Sequence, residues 1–159
     1  MKEQIPPSLH VILDIPKEGL CDLPCRFFEE ISQETLSLSG LDVLQNKEIG
    51  INICEVDDVE MARLNKEIMG KEGSTDILSF PSYGGKEELS LVKGNSFCIG
   101  DIILCPSVIR QDALRDEVSY EREMTFVFSH GILHLLGYEH GEEMFALQDE
   151  VCETRERKK

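Results

Sequence analysis

The spacing of hydrophobic and polar positions changes several times along the chain. LHVILDI (Leu9 to Ile15) is a short apolar run of strand type, and EIGINICEV (Glu48 to Val56) alternates polar and apolar residues as a half-buried strand does. Between them, Pro24 to Ser39 keeps a helical spacing that opens beside a proline and stops at Gly40. Asp57 stands where a helix N-cap belongs, with Glu60 three residues on in the spacing of a capping box, and the predicted helix runs through Met61, Leu64 and Ile68 to Gly70. TDILSF (Thr75 to Phe80) reads as a further strand, ended by Pro81. The stretch from there to Asn95 has no apolar period and predicts an exposed loop. FCIGDIILC (Phe97 to Cys105) is another strand, closed by Pro106, and Ser107 to Asp116 continues as a helix.

The segment from Ser119 carries Met124, Phe126, Val127, Phe128, Ile132, Leu133 and Leu136, a helix apolar nearly all round and therefore placed in the middle of the protein. Gly137 ends it, and Glu142 to Arg157 forms a last amphipathic helix. Strands come mostly first and long helices last. The expected fold is α+β, a small mixed sheet of about four strands packed on helices. At 159 residues the chain suits one domain, spanning 1–159.

Composition narrows the class. No apolar run approaches the ~20 residues that cross a bilayer, and the opening MKEQIPPSLH lacks the apolar core of an export signal, so the expected location is cytoplasmic, with no membrane partner. Six cysteines are scattered without a CxxC pair and read mainly as reduced core residues; Cys21 and Cys25 could share a helical face but make a poor zinc site alone. The formal charge of −15 argues against a surface that grips nucleic acid all over. Any RNA contact must be local, drawing on Lys66, Lys71, Lys86, Lys93, Arg110, Arg115, Arg122 or the RERKK tail.

The chemistry concentrates at His130-Gly-Ile-Leu-His134-Leu-Leu-Gly137-Tyr-Glu-His140, which holds three of the four histidines. On a helix, His130 and His134 sit one turn apart on one side, so both rings can reach one ion. Gly137 permits the left-handed turn that brings His140 back as a third ligand. Three neutral imidazoles with a water in the fourth position describe a catalytic zinc site, and zinc lowers the pKa of such a water to about 7. The spacing also matches metzincin metallopeptidases, but the glutamate that serves them as general base is replaced by Gly131. His10, alone at the start of a strand, takes no role.

HGILHLLGYEH, together with TDILSFP (Thr75 to Pro81) and IGDIILCP (Ile99 to Pro106), resembles the YbeY family of bacterial rRNA maturation factors, over most of the chain from Ile49 to His140. The resemblance implies one zinc per chain on His130, His134 and His140. It also implies single-strand endoribonuclease activity in maturation of the 16S rRNA 3′ end and in ribosome quality control. Implied partners are rRNA, the small ribosomal subunit, and ribosomal proteins or an assembly GTPase. The alternatives are a ribosome-assembly factor with a structural zinc and, less favoured, a metallopeptidase.

Two positions depart from the family pattern. Glu139 replaces an aspartate and keeps the carboxylate. Met69 stands where the family commonly has an arginine, and a thioether cannot hold a phosphate, so either Lys71 or Arg63 substitutes or nuclease activity is weak. Thr75, Asp76 and Ser79 are candidates for lining a substrate groove with Lys71, Asp76 being equally suited to capping a turn. Asp101, a carboxylate inside a strand, is a candidate acceptor for a ligand histidine's second N–H, or a strand residue facing water.

Overall fold

The computed structural model describes residues 9–158; the first eight residues, where an export signal was looked for, and Lys159 of the basic tail lie outside them. The order is β1 (His10–Asp14), α1 (Cys25–Ser39), a 3-10 turn (Asp42–Leu44), β2 (Glu48–Glu55), α2 (Asp58–Met69), β3 (Ile77–Pro81), α3 (Lys86–Ser90), β4 (Ser96–Leu104), α4 (Pro106–Asp116), α5 (Tyr120–Leu135) and α6 (Glu142–Arg157). The fold is α+β with a mixed sheet of four strands in the order β1-β2-β4-β3. β1, β2 and β4 run parallel, while β3 joins β4 antiparallel and forms one edge.

Local chemistry sets the helix ends. The Asp57 carboxylate accepts the Glu60 amide at 2.9 Å, and the Ser119 hydroxyl accepts the Arg122 amide at 3.1 Å, each satisfying one of the donors left free in a first helical turn. α5 is the helix that everything else packs on: it touches α1, α4, α6, β3 and β4. Phe128 of α5 meets Phe28 of α1 edge to face, ring centroids 5.2 Å apart, and both rings are fully buried; each such burial stabilises the fold by roughly 1.5–3 kcal/mol.

Two expectations are corrected. The stretch before β4 is not all loop: α3 forms because Leu89, in a stretch with no regular apolar period, is buried in the core. Cys21 lies ahead of α1 with a positive φ, so it shares no helical face with Cys25. All six cysteines are free thiols, with Cys21, Cys105 and Cys152 buried. No helix among the described residues is long and apolar enough to cross a membrane.

Candidate metal centre

His130 and His134 project from successive turns of α5, and the turn after it carries His140 back over them. The ring centroids lie 4.4, 4.9 and 4.7 Å apart in the three pairings. One candidate ligand atom from each ring falls within 4.8 Å of the others. A zinc ion about 2.0–2.1 Å from each nitrogen would hold them roughly 3.4 Å apart, so small ring movements close the set.

The return of the chain depends on Gly137, whose φ of +93° is left-handed. There the Gly137 amide bonds to the His134 carbonyl and the Tyr138 amide to Leu133. Tyr138 pins the turn: its ring is buried beneath the Lys86 ammonium, 3.6 Å from the ring centre, and its hydroxyl donates to the Ser39 carbonyl at 3.4 Å. The Tyr138 carbonyl lies 3.1 Å from His134 Nδ1. A carbonyl only accepts, so Nδ1 carries the proton and Nε2 keeps its lone pair. That Nε2 faces His130 Nε2 at 2.9 Å.

Burial lowers the pKa of His130 to about 4, aided by the neighbouring His134, and burial likewise lowers that of His134, aided by His140. Both rings are therefore neutral near pH 7, the form that binds a metal. The donor set fits zinc. Behind the rings, Gln148 of α6 is fully buried, and its Oε1 has no fully formed hydrogen bond.

The three histidines lie along an open cleft of about 470 Å³ whose walls include Met69, Asp76, Ser79, Asp112, Arg115, Asp116, Glu123 and Phe126. Arg115 sits between Asp112 (3.1 Å) and Asp116 (3.3 Å), its side chain 69% exposed. Desolvation raises the Asp76 carboxyl pKa, with Asp112 adding to it, and desolvation also raises Glu123, with Asp116 and Asp112 adding.

Of the sequence candidates, Asp76 and Ser79 line the cleft with the histidines, whereas Lys71 lies on the exposed loop and Thr75 donates to Asp76 at 3.4 Å. Asp76 precedes β3, and its backbone carbonyl accepts the Cys105 amide at 2.9 Å. Asp101 does not support a histidine: it faces outward and accepts from Asn52 at 2.8 Å, because its strand position points away from α5. Arg63 is held on the outer face of α2 by Glu60 and Glu67. Met69, 48% exposed, does line the cleft. The cation lining the same cleft comes from α4, as Arg115.

Asp112, Asp116, Glu123, Phe126 and Gln148 were not anticipated as site residues, and Arg115 only as one of several basic residues available for a local RNA contact. A signal existed for two of them. Counting back from His130 along its own helical stripe reaches Phe126 and Glu123. The α4 residues carry no such link, because only tertiary packing brings that helix alongside.

Residues 21–156 match the family described as Endoribonuclease YbeY. The chain belongs to that family. It is 37% identical over 146 residues to Endoribonuclease YbeY of Salinispora tropica, covering 86% of this chain and 90% of that protein. It is 37% identical over 131 residues to the Zymomonas mobilis Endoribonuclease YbeY, covering 79% and 72%. The Frankia casuarinae protein of that name is 33% identical, with 77% of this chain and 66% of that protein covered. The solution structure of TM1509 from Thermotoga maritima, 24% identical, superposes with a TM-score of 0.54 over 92% of this chain and 87% of that one, a likeness of fold.

Proposed function

We propose that this YbeY-family chain is, as one catalytic domain, a zinc-dependent endoribonuclease that cuts single-stranded RNA in the cytoplasm. Its substrate is the 3′ end of 16S rRNA during maturation and quality control of the small ribosomal subunit. The observation that carries this reading is the convergence of three imidazoles on an open cleft, in a member of a family named for endoribonuclease activity. His130, His134 and His140 would hold the zinc. A bound zinc supplies Lewis acidity and makes water more acidic, so that a nucleophile exists at neutral pH.

The chain's own residues supply the rest. Arg115 is the cation placed to meet a phosphate, in exchange for part of its pairing with Asp112 and Asp116. Phe126 offers an aromatic face on which an unpaired base stacks. Asp76 and Glu123, the two carboxyls with raised pKa, hold or release a proton inside the cleft.

The peptidase reading is disfavoured by the surroundings of residue 131. A Cβ at Gly131 would meet Ile77 Cδ1 at 2.5 Å and Ile102 Cδ1 at 3.3 Å, so a glutamate there would collide with the packing of α5 against the sheet. A second reading, an assembly factor that binds rRNA and ribosomal proteins around a structural zinc, draws on the cleft's excess of carboxylates. Metal content by mass spectrometry, measured on wild type and His134→Ala alongside cleavage of a single-stranded RNA oligomer, separates the two. Zinc and cleavage lost together support the nuclease; zinc bound with RNA uncut favours the assembly factor; wild type without metal defeats both.

A further inference from the structure

Gln148 lies on the second turn of α6, fully buried. Its Nε2 donates to the Phe126 carbonyl at 3.2 Å, which leaves Oε1 as the free end of the amide. The Phe126 carbonyl belongs to the turn of α5 that precedes His130, and Oε1 itself has no hydrogen-bond partner. A buried amide oxygen without a partner costs about 1–3 kcal/mol, and a leucine would fill the same space without that cost. The position therefore calls for an explanation beyond packing.

The neighbouring ligand provides the comparison. His134 directs Nε2 toward the ligand cluster and Nδ1 toward the Tyr138 carbonyl. His130 directs Nε2 toward the same cluster, and Nδ1 is its remaining nitrogen. When Nε2 serves as a metal ligand, the proton must reside on Nδ1 and needs an acceptor in a buried setting. An amide oxygen held by its own nitrogen to α5, on the carbonyl four residues before His130, is such an acceptor.

We propose that Gln148 is a positioning residue for the metal centre, its Oε1 accepting the Nδ1–H of His130 and thereby fixing the tautomer and ring orientation that present Nε2 to the ion. The inference rests on the metal reading above. It makes α6, which contributes no ligand, a working part of the site. It also accounts for a polar side chain buried between two helices whose other contacts are largely apolar.

The test compares Gln148→Leu and Gln148→Glu with wild type. Affinity for zinc is read by competition with a chromophoric chelator, coordination by the visible spectrum of the cobalt(II) form, and folding by thermal denaturation of the metal-free protein. The leucine variant removes the acceptor and is expected to weaken zinc binding about 10–100-fold and to alter the cobalt spectrum. Its metal-free form should melt no lower than wild type, since an apolar residue of similar shape leaves nothing unpaired. The glutamate variant keeps an acceptor but loses the donor held by the Phe126 carbonyl, and should bind zinc more weakly than wild type and more tightly than the leucine variant. Should the leucine variant not fold, Gln148→Met supplies the same comparison.

Zinc affinity unchanged in the folded apolar variant would overturn the proposal. Equal losses in the glutamate and apolar variants would do so too, since a purely structural amide predicts that pattern. A wild type that binds no zinc would instead fail the metal reading itself.

Discussion

Replacing Gly137 by alanine tests how the third ligand is delivered. The residue has a φ of +93°, and an added Cβ would lie 2.7 Å from the Lys86 nitrogen and 3.0 Å from both the carbonyl carbon and Cα of Gly85. The left-handed conformation costs an ordinary residue about 1–2 kcal/mol, and forcing an atom into packed backbone typically costs a further ~1–3 kcal/mol. The neighbours are main chain at the start of α3, so they cannot swing away as a side-chain tip would. The sum, about 2–5 kcal/mol, corresponds to a loss of roughly 4–20 °C in melting temperature for a chain of this size.

The chain can relieve part of this by moving the turn, and the turn carries His140. Four-ligand zinc sites bind with about 10–16 kcal/mol, or ~3 kcal/mol per ligand, so a displaced His140 weakens zinc binding on the order of 100-fold. His130 and His134, fixed on α5, remain as a pair. Calorimetry of the metal-free protein and zinc titration against a chelator measure the two effects. An alanine variant that melts within about 2 °C of wild type and binds zinc equally would refute the reasoning. Gly137→Asn separates its halves: asparagine tolerates the left-handed conformation but still carries a Cβ. It should stay close to alanine, and recovery of wild-type affinity would show that the collision with Gly85 and Lys86 does not matter.

Two other substitutions probe the cleft. Arg115→Gln should raise KM for single-stranded RNA about tenfold, with a smaller effect on kcat, and flatten the salt dependence by about 0.7 in log–log slope for one lost phosphate contact; Met69→Arg added to it should recover part of the loss from the opposite wall, and an unmoved KM would remove Arg115 from substrate binding. Asp76→Asn should stabilise the metal-free protein at pH 7.5 while lowering RNA cleavage. Burial raises the carboxyl's pKa in the folded state, so the native protein binds more protons than the unfolded chain between the two values. Stability therefore falls as pH rises through that window, and the full cost is present above it. The gain in melting temperature should shrink toward zero below about pH 4; a difference independent of pH would contradict this.

Much of this arrangement is legible where a signal is local. Asp57 and Gly137 are read correctly because capping and left-handed turns depend on one or two residues, and α5 because an all-round apolar helix has nowhere to go but the centre. That His130 and His134 share one side of α5 follows from helical spacing alone. The sheet order is another matter: β4 lies between β2 and β3 because of pairings nearly fifty residues apart, such as Glu48 with Ser96, and no local pattern records which strands meet. The α4 side of the cleft was hidden for the same reason, since Asp112 and Arg115 join Asp76 and Ser79 there only when α4 docks beside α5. Gln148 was invisible because a lone glutamine in an amphipathic helix looks like its surface, and burial by α5 gives it a different meaning.

The division of the three histidines between a central helix and a surface turn also has a kinetic side. α5 is enclosed by α1, α4, α6 and the sheet, so its hydrogen bonds should open only when the whole protein unfolds, whereas the exposed turn at His140 can open by itself. A metal held there would leave in two stages, first shedding His140 and then the pair on the helix. Its residence time would be set by the local opening rate of that turn, and a change in overall stability could leave the exchange of the ion almost untouched.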